Sequence, residues 1–240
     1  MILKGSKKCV LDLVQSRSFL ATINTLTKGT KTVVSEYDNW MPKNIHLQKE
    51  AQLKDFLKYN FDPLLSSKIV EWWLHIDTTT PNWDFVSTCN INGKRGILLV
   101  EAKAHWSELE KERKEKFYDN SASEPSKLNH KEIGKAIEQA NTEINNRISG
   151  ISISRDNCYQ LSNRVAYTWW LANQGIPVVL LYLGFLNCLD MNDGINRLFT
   201  NDKEWQDCFI KHAEQVGVDK LINRWVDCEK SEFITICKSL

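Results

Sequence analysis

The residues of this chain best suited to chemistry gather around one turn. In GILLVEAKAH, Gly96 to His105, four apolar residues (Ile97, Leu98, Leu99, Val100) run directly into Glu101, Ala102 and Lys103. Ionised groups are rarely left in a core without a partner, so a carboxylate and an amine closing a buried-strand pattern need an explanation. Upstream, WDFVSTC and KRGILLVEA flank Asn92-Gly93, a pair that tolerates the positive φ required at both central positions of a type I′ hairpin. With those two residues as the loop, Ile91 faces Lys94, Cys89 faces Gly96, Thr88 faces Ile97 and Val86 faces Leu99. Asp84 then faces Glu101, with Cβ atoms ~5 Å apart. Lys103 lies two residues beyond Glu101, on the same face of the strand. Two carboxylates and an amine therefore meet at one sheet edge.

Like charges opposite one another in an antiparallel pair repel. A divalent cation reverses that sign, and hard oxygen donors at this spacing suit Mg²⁺ or Mn²⁺, which keep several waters and take few protein carboxylates. Asp84, Glu101 and the Ala102 carbonyl are the expected metal-facing groups. Lys103 is placed to orient or activate a metal-bound water, or to hold charge on a developing phosphorane. The implied chemistry is hydrolysis of a phosphodiester. Glu-x-Lys recurs at Glu112-Arg113-Lys114, but there no apolar strand precedes it and no Asp opposes it. That charged run, Glu108 to Lys116, reads as a solvated helical face or connector without chemistry.

The hairpin needs elements to hold it. The first ~80 residues read as mainly helical by apolar spacing. One helix starts after Asp62-Pro63 and places Leu65, Ile69, Trp72 and Trp73 together; another runs through Leu47, Leu53, Phe56 and Leu57. Lys31 to Tyr37 is a candidate strand. Beyond a polar linker ending near Ser126, Asn129 and Glu132 resemble a capping box. The helix it opens carries the stripe Ile133, Ile137, Ala140, Ile144 and Ile148, and Gly150 stops it. A further helix from Asn157 to Asn173 buries Leu161, Val165, Trp169 and Ala172, and Gly175 ends it. Pro177 to Leu186 reads as a strand buried on both faces. The C-terminal part again reads as helical, with Trp205, Phe209, His212 and Val216 on one face. The pattern is that of an α/β protein: a mixed central β-sheet flanked by helices.

An Asp on one hairpin strand with Glu-x-Lys on the next resembles the PD-(D/E)xK nuclease superfamily, the restriction-endonuclease-like fold. The matching residues are Asp84, Glu101 and Lys103, with Pro81 displaced from its usual place directly before the Asp. The strings TPNWDFVST, GILLVEAKAH, YQLSNR and PVVLLYLGFLN are also similar to a group of bacterial proteins of undefined function. The resemblance implies a single nuclease-like domain over residues 1–240. Its core spans about 66–186, with extra N-terminal (1–65) and C-terminal (187–240) helices. It leaves the first core strand either at Ile76 to Thr80 or further upstream. It also implies a helix-borne Glu at the metal site, for which Glu71 is the candidate on the Ser67/Glu71/His75 side, and a Gln or Lys from the next helix, for which Gln139 beside Glu143 is the candidate. Tyr159, Gln160, Asn163 and Arg164 share one helix face and are candidates to contact phosphates or orient the site. His105 follows the motif strand and is a candidate substrate or metal contact.

The implied function is a Mg²⁺-dependent nuclease acting on nucleic acid, with DNA expected. Two alternatives are a catalytically inactive nuclease-fold protein that serves as a nucleic-acid-binding or interaction module, and a hydrolase of another phosphate substrate. The 240 residues carry a formal net charge of +1, which argues against a polybasic binder but leaves room for a local basic cleft. No GxxxxGK[ST] or HExxH string occurs, so NTPase and zincin chemistry have no motif. Seven scattered cysteines without a CxxC pair suggest neither a zinc knuckle nor a disulfide framework. No apolar run approaches the ~18 residues of a membrane span, and nothing near the N-terminus reads as a signal peptide. A cytoplasmic protein is expected.

Overall fold

The computed structural model describes residues 3–74, 80–112, 115, 121–192 and 194–240. Two helices, α1 (Gly5–Gln15) and α2 (Phe19–Leu26), precede three two-residue strands, β1 (Thr32–Val33), β2 (Trp40–Met41) and β3 (Ala51–Gln52). Helices α3 (Leu53–Asn60) and α4 (Pro63–Trp73) follow. The start of α4 is fixed by Asp62, whose side chain accepts from the Leu64 N–H while Pro63 takes the first turn. Next come β4 (Asn82–Trp83), the hairpin β5 (Phe85–Ile91) and β6 (Lys94–Lys103), and helices α5 (Trp106–Glu112), α6 (Glu124–Asn145) and α7 (Tyr159–Asn173). The chain closes with β7 (Val178–Gly184), α8 (Asp202–Ala213), β8 (Trp225–Asp227) and β9 (Glu232–Ser239).

The central sheet is mixed and seven-stranded, in the order β1-β5-β6-β7-β9-β8, with β2 also pairing to β5. Strands β5 and β6 are antiparallel, β7 runs parallel to both β6 and β9, and β8 returns antiparallel to β9. The hairpin has the expected register, from Ile91↔Lys94 through Val86↔Leu99 to Phe85↔Val100. Asn92 and Gly93 both have positive φ, 51° and 82°, as the two-residue turn requires. A short ladder pairs Ala51 with Trp83 and Gln52 with Asn82 outside this sheet.

Alternation along β6 divides the two faces. Leu98, Val100 and Ala102 pack with α1 and α2 residues such as Val10, Phe19 and Ile23. Ile97 and Leu99 pack on the opposite side with Ile69, Ile137, Val165 and Phe209 from α4, α6, α7 and α8. Glu101 and Lys103 continue this second set, so both point toward α7. Strand β7 is buried along its whole length, as its uninterrupted apolar run anticipates.

Several sequence expectations need correction. Residues 187–240 are not a helical addition: β8 and β9 extend the sheet beyond β7, because Phe233, Ile234 and Ile236 supply apolar side chains to both faces. Residues 1–65 are not purely a helical addition: β1, inside the candidate strand Lys31 to Tyr37, and β2 both pair with β5, so the sheet edge comes from upstream, one of the two expected places. Of Ile76 to Thr80, only Thr80 lies within the described residues. Helix α6 begins at Glu124, not at Asn129, with Ser123 at its N-cap position and Pro125 in the first turn. The run from Glu108 is not uniformly solvated either: Leu109 and Glu112 are buried on the inner face of α5.

Candidate active site

The ladder between β5 and β6 ends at Phe85↔Val100, and the next residue back, Asp84, turns its side chain into the gap that follows. Asp84 Oδ2 accepts from the Ala102 N–H at 2.8 Å, which replaces a ladder bond with a carboxylate. In an extended strand the N–H and C=O of one residue point the same way, so the Ala102 carbonyl also faces this edge. Burial, and then the Glu101 carboxylate, push Asp84 up to about 8 from the usual 3.8.

Glu101 is 2 % exposed and is held from three directions. Oε1 accepts from Lys103 Nζ at 2.6 Å and from Gln160 Nε2 at 2.6 Å. Oε2 accepts from Arg164 Nε at 2.6 Å. Arg164 also donates to the Asn163 side chain at 3.0 Å and to the Asn82 carbonyl at 2.8 Å, and its guanidinium lies 4.4 Å from the Trp83 ring centroid. Such a fork fixes both the position and the plane of the carboxylate. The first turns of α7 supply Gln160, Asn163 and Arg164 on one helix face, and that face is not solvated: Asn163 and Arg164 are buried.

Lys103 Nζ bridges two carboxylates, at 2.6 Å from Glu101 Oε1 and 2.6 Å from Glu112 Oε1. Glu112 Oε2 lies 3.0 Å from His212 Nε2. An ionised carboxylate only accepts, so the imidazole Nε2 is the donor in that pair. Burial alone would lower the Lys103 pKa, but Glu101 and Glu112 outweigh it and raise it above the ordinary value. Lys103 is therefore a permanent ammonium at neutral pH. Burial works against the charge on Glu112 too, and Lys103 and His212 together hold its pKa below the usual range. The Tyr182 hydroxyl, on the β7 residue beside Glu101 in the ladder, is buried without a hydrogen-bond partner among the described residues.

Asp84, Glu101, Ala102, Lys103, Asn163 and Arg164 thus come together. Glu71, Gln139 and His105 do not hydrogen-bond to Asp84, Glu101 or Lys103. Glu71 is exposed on α4, and Gln139 accepts from Trp72 Nε1 at 2.9 Å. His105 is buried in a bridge to Leu198, 3.8 Å from Glu108. His75 lies outside the described residues.

Sequence reasoning missed Glu112 and His212, although each carried a signal. His212 sits in an otherwise apolar stripe on α8, and a buried imidazole calls for a polar partner. Glu112 falls three residues after Leu109, which puts it on the buried side of α5. It also opens the second Glu-x-Lys tripeptide, whose Arg113 and Lys114 lie outside the described residues.

No family model, curated protein or solved structure matches this chain. Among the described residues no helix is long and apolar enough to cross a membrane, and no three His, Cys, Asp or Glu side chains form a metal-holding group.

Proposed function

We propose that this protein is a Mg²⁺- or Mn²⁺-dependent nuclease that hydrolyses phosphodiester bonds in DNA, using Asp84, Glu101 and Lys103 on a restriction-endonuclease-like sheet. The observation that carries this reading is the meeting of Asp84 with the Glu101–Ala102–Lys103 segment at the end of the hairpin ladder. The choice of DNA rests on the resemblance of that pattern to PD-(D/E)xK nucleases. The seven free cysteines suit a reducing compartment, and we place the protein in the cytoplasm.

The donor set fits a small divalent cation. Asp84, raised to about 8 by burial first and then by Glu101, would give up its proton more readily with a cation beside it. Asp84, Glu101 and the Ala102 carbonyl would hold the ion, with waters completing the shell. Bound there, the ion supplies Lewis-acid stabilisation of phosphate charge and a more acidic water.

The other groups act through position and charge. Lys103, fixed as an ammonium, cannot take a proton from water at neutral pH. It donates hydrogen bonds and offsets charge that develops on the phosphorane. Arg164 and Gln160 hold Glu101 in a single orientation, which removes reorganisation from the reaction.

A second reading, the inactive nuclease-fold module, is favoured by the saturation of Glu101: both of its oxygens are already engaged by Lys103, Gln160 and Arg164. A cleavage panel of single- and double-stranded DNA and RNA with Mg²⁺ or Mn²⁺ separates the two. Asp84→Asn is the informative variant, since it keeps an acceptor for the Ala102 N–H and removes only the ability to ionise. Cleavage by wild type and none by a folded Asp84→Asn supports the enzyme. Binding without cleavage supports the module.

A further inference from the structure

A cavity of about 450 Å³ opens beside the Glu101 cluster, on the far side of Gln160 and Arg164. The apolar parts of its wall include Trp73, at the end of α4, Pro81, Ile133 of α6 and the Tyr159 ring. Its polar lining is mostly uncharged: Gln52 and Asn82, partners in the two-stranded ladder, together with Asn163 and Thr80. Among the described residues that line it Arg164 is the one cationic side chain, and its guanidinium is committed to Glu101, Asn163 and the Asn82 carbonyl. A phosphate or carboxylate ligand would find no uncommitted positive charge among the described residues there.

Thr80 supplies an independent sign of a ligand. It is 3 % exposed, and its Oγ1 has no hydrogen-bond partner among the described residues. A buried hydroxyl left unpaired costs stability that a valine in its place would not. Its position in the cavity wall gives it a use when a donor or acceptor enters.

We propose that this cavity is a nucleobase pocket. It takes the base of the nucleotide adjacent to the phosphodiester held at Asp84 and Lys103, and the placement of that phosphodiester rests on the proposed function above. A nucleobase is flat and uncharged and carries donors and acceptors on one edge. Asn and Gln are the side chains that present a donor and an acceptor together, and they pair with such edges. Enzymes that act on nucleic acid commonly hold an unstacked base between apolar walls and read its edge with groups of this kind.

The test uses the full chain without metal, so that base binding is read separately from cleavage. Saturation-transfer NMR is recorded with adenosine, guanosine, cytidine and thymidine, and with ribose 5-phosphate as the base-free probe. The expected result is binding of at least one nucleoside through its base protons and none of ribose 5-phosphate. Thr80→Val and Gln52→Ala should each weaken that binding fivefold or more. Thr80→Val should leave the denaturation midpoint unchanged or higher, because the hydroxyl it removes has no partner among the described residues. The proposal is overturned if no nucleoside binds, if ribose 5-phosphate binds as well as the nucleosides, or if both variants bind like wild type. Nucleoside binding without cleavage of any nucleic acid keeps the pocket and removes the nuclease reading. Cleavage without nucleoside binding removes the pocket alone.

Discussion

Glu112 Oε2 and His212 Nε2 lie 3.0 Å apart, with neither side chain exposed. The other Glu112 oxygen is 2.6 Å from Lys103 Nζ, so the ammonium that faces Glu101 is anchored from behind by a second buried carboxylate. Four charges alternate in sign along this line, Glu112, Lys103, Glu101 and Arg164, and the His212 imidazole closes its far end as a hydrogen-bond donor. Removing one member leaves its neighbours buried and uncompensated, which costs far more than breaking an exposed pair. Glu112→Gln should therefore lower unfolding stability by about 3 kcal/mol. Lys203 and Asp207, a pair whose side chains are 83 % and 53 % exposed, provide the internal control: Asp207→Asn should change stability by less than about 0.5 kcal/mol. Urea denaturation of the two variants measures the contrast. Equal losses would show that the buried line of charge contributes nothing special.

The same argument bears on how the site is probed. Lys103→Ala removes the shared partner of two buried carboxylates, so it should unfold a substantial fraction of the protein or lower its stability by several kcal/mol, on the order of 3 to 5. Loss of cleavage in that variant then has two causes. Asp84→Asn has only one, provided its fold is measured alongside, and a denaturation curve for each variant decides which is usable. Comparable stability of Lys103→Ala and wild type would contradict the double ion pair.

Asp84 also gives the protein a pH signature. Its value of about 8 in the folded chain lies above the ordinary 3.8, so folding takes up a proton between those limits. The stability contributed by this proton is complete below pH 3.8 and is lost as pH rises through about 8. Asp84→Asn abolishes that loss. The variant should match wild type near pH 4 and exceed it increasingly toward pH 9. Thermal midpoints across this range test the sign, and parallel curves for the two proteins would exclude a raised Asp84.

A divalent cation competes with that proton. Mg²⁺ or Mn²⁺ should raise the wild-type midpoint more at pH 9 than at pH 5, because a ligand stabilises the state whose ionised carboxylate it binds. The increment should vanish in Asp84→Asn. An equal increment in both proteins would locate the ion elsewhere.

The sequence made the hairpin legible because two local rules converge on it. Asn92-Gly93 fixes the turn, and period-two alternation then places Glu101 and Lys103 on one face. Asp84 lies one residue beyond the ladder and, instead of facing Glu101 as a strand partner, accepts from the Ala102 N–H. Strand β7 was legible for a similar reason, its apolar run being too uniform for a half-solvated element. The groups behind Lys103 were not, since Glu112 reaches it from 9 residues away and His212, which meets Glu112, lies 109 residues from Lys103 on a separate helix. No local spacing encodes such a meeting. The polar face of α7 misled in another way: a stripe with Gln160, Asn163 and Arg164 looks solvent-facing until the buried carboxylate it serves is known. Strands β8 and β9 went unread because the helical pattern of α8 just before them was carried through to the C-terminus.

Arg164 tests whether shape or charge holds Glu101. It meets the carboxylate through Nε, the Asn82 carbonyl and the Asn163 side chain through its terminal nitrogens, and the Trp83 ring through its flat face. A lysine at this position keeps the charge but cannot make these contacts together. If charge alone mattered, Arg164→Lys would retain stability and cleavage, and only Arg164→Gln would lose them. The fork geometry predicts that Arg164→Lys loses about 2 kcal/mol. It also predicts a fall in cleavage rate of roughly tenfold or more through a misplaced Glu101, so that Lys comes close to Gln in both measurements. Near-wild-type behaviour of Arg164→Lys would assign Arg164 to charge balance and leave the orientation of Glu101 to Lys103 and Gln160.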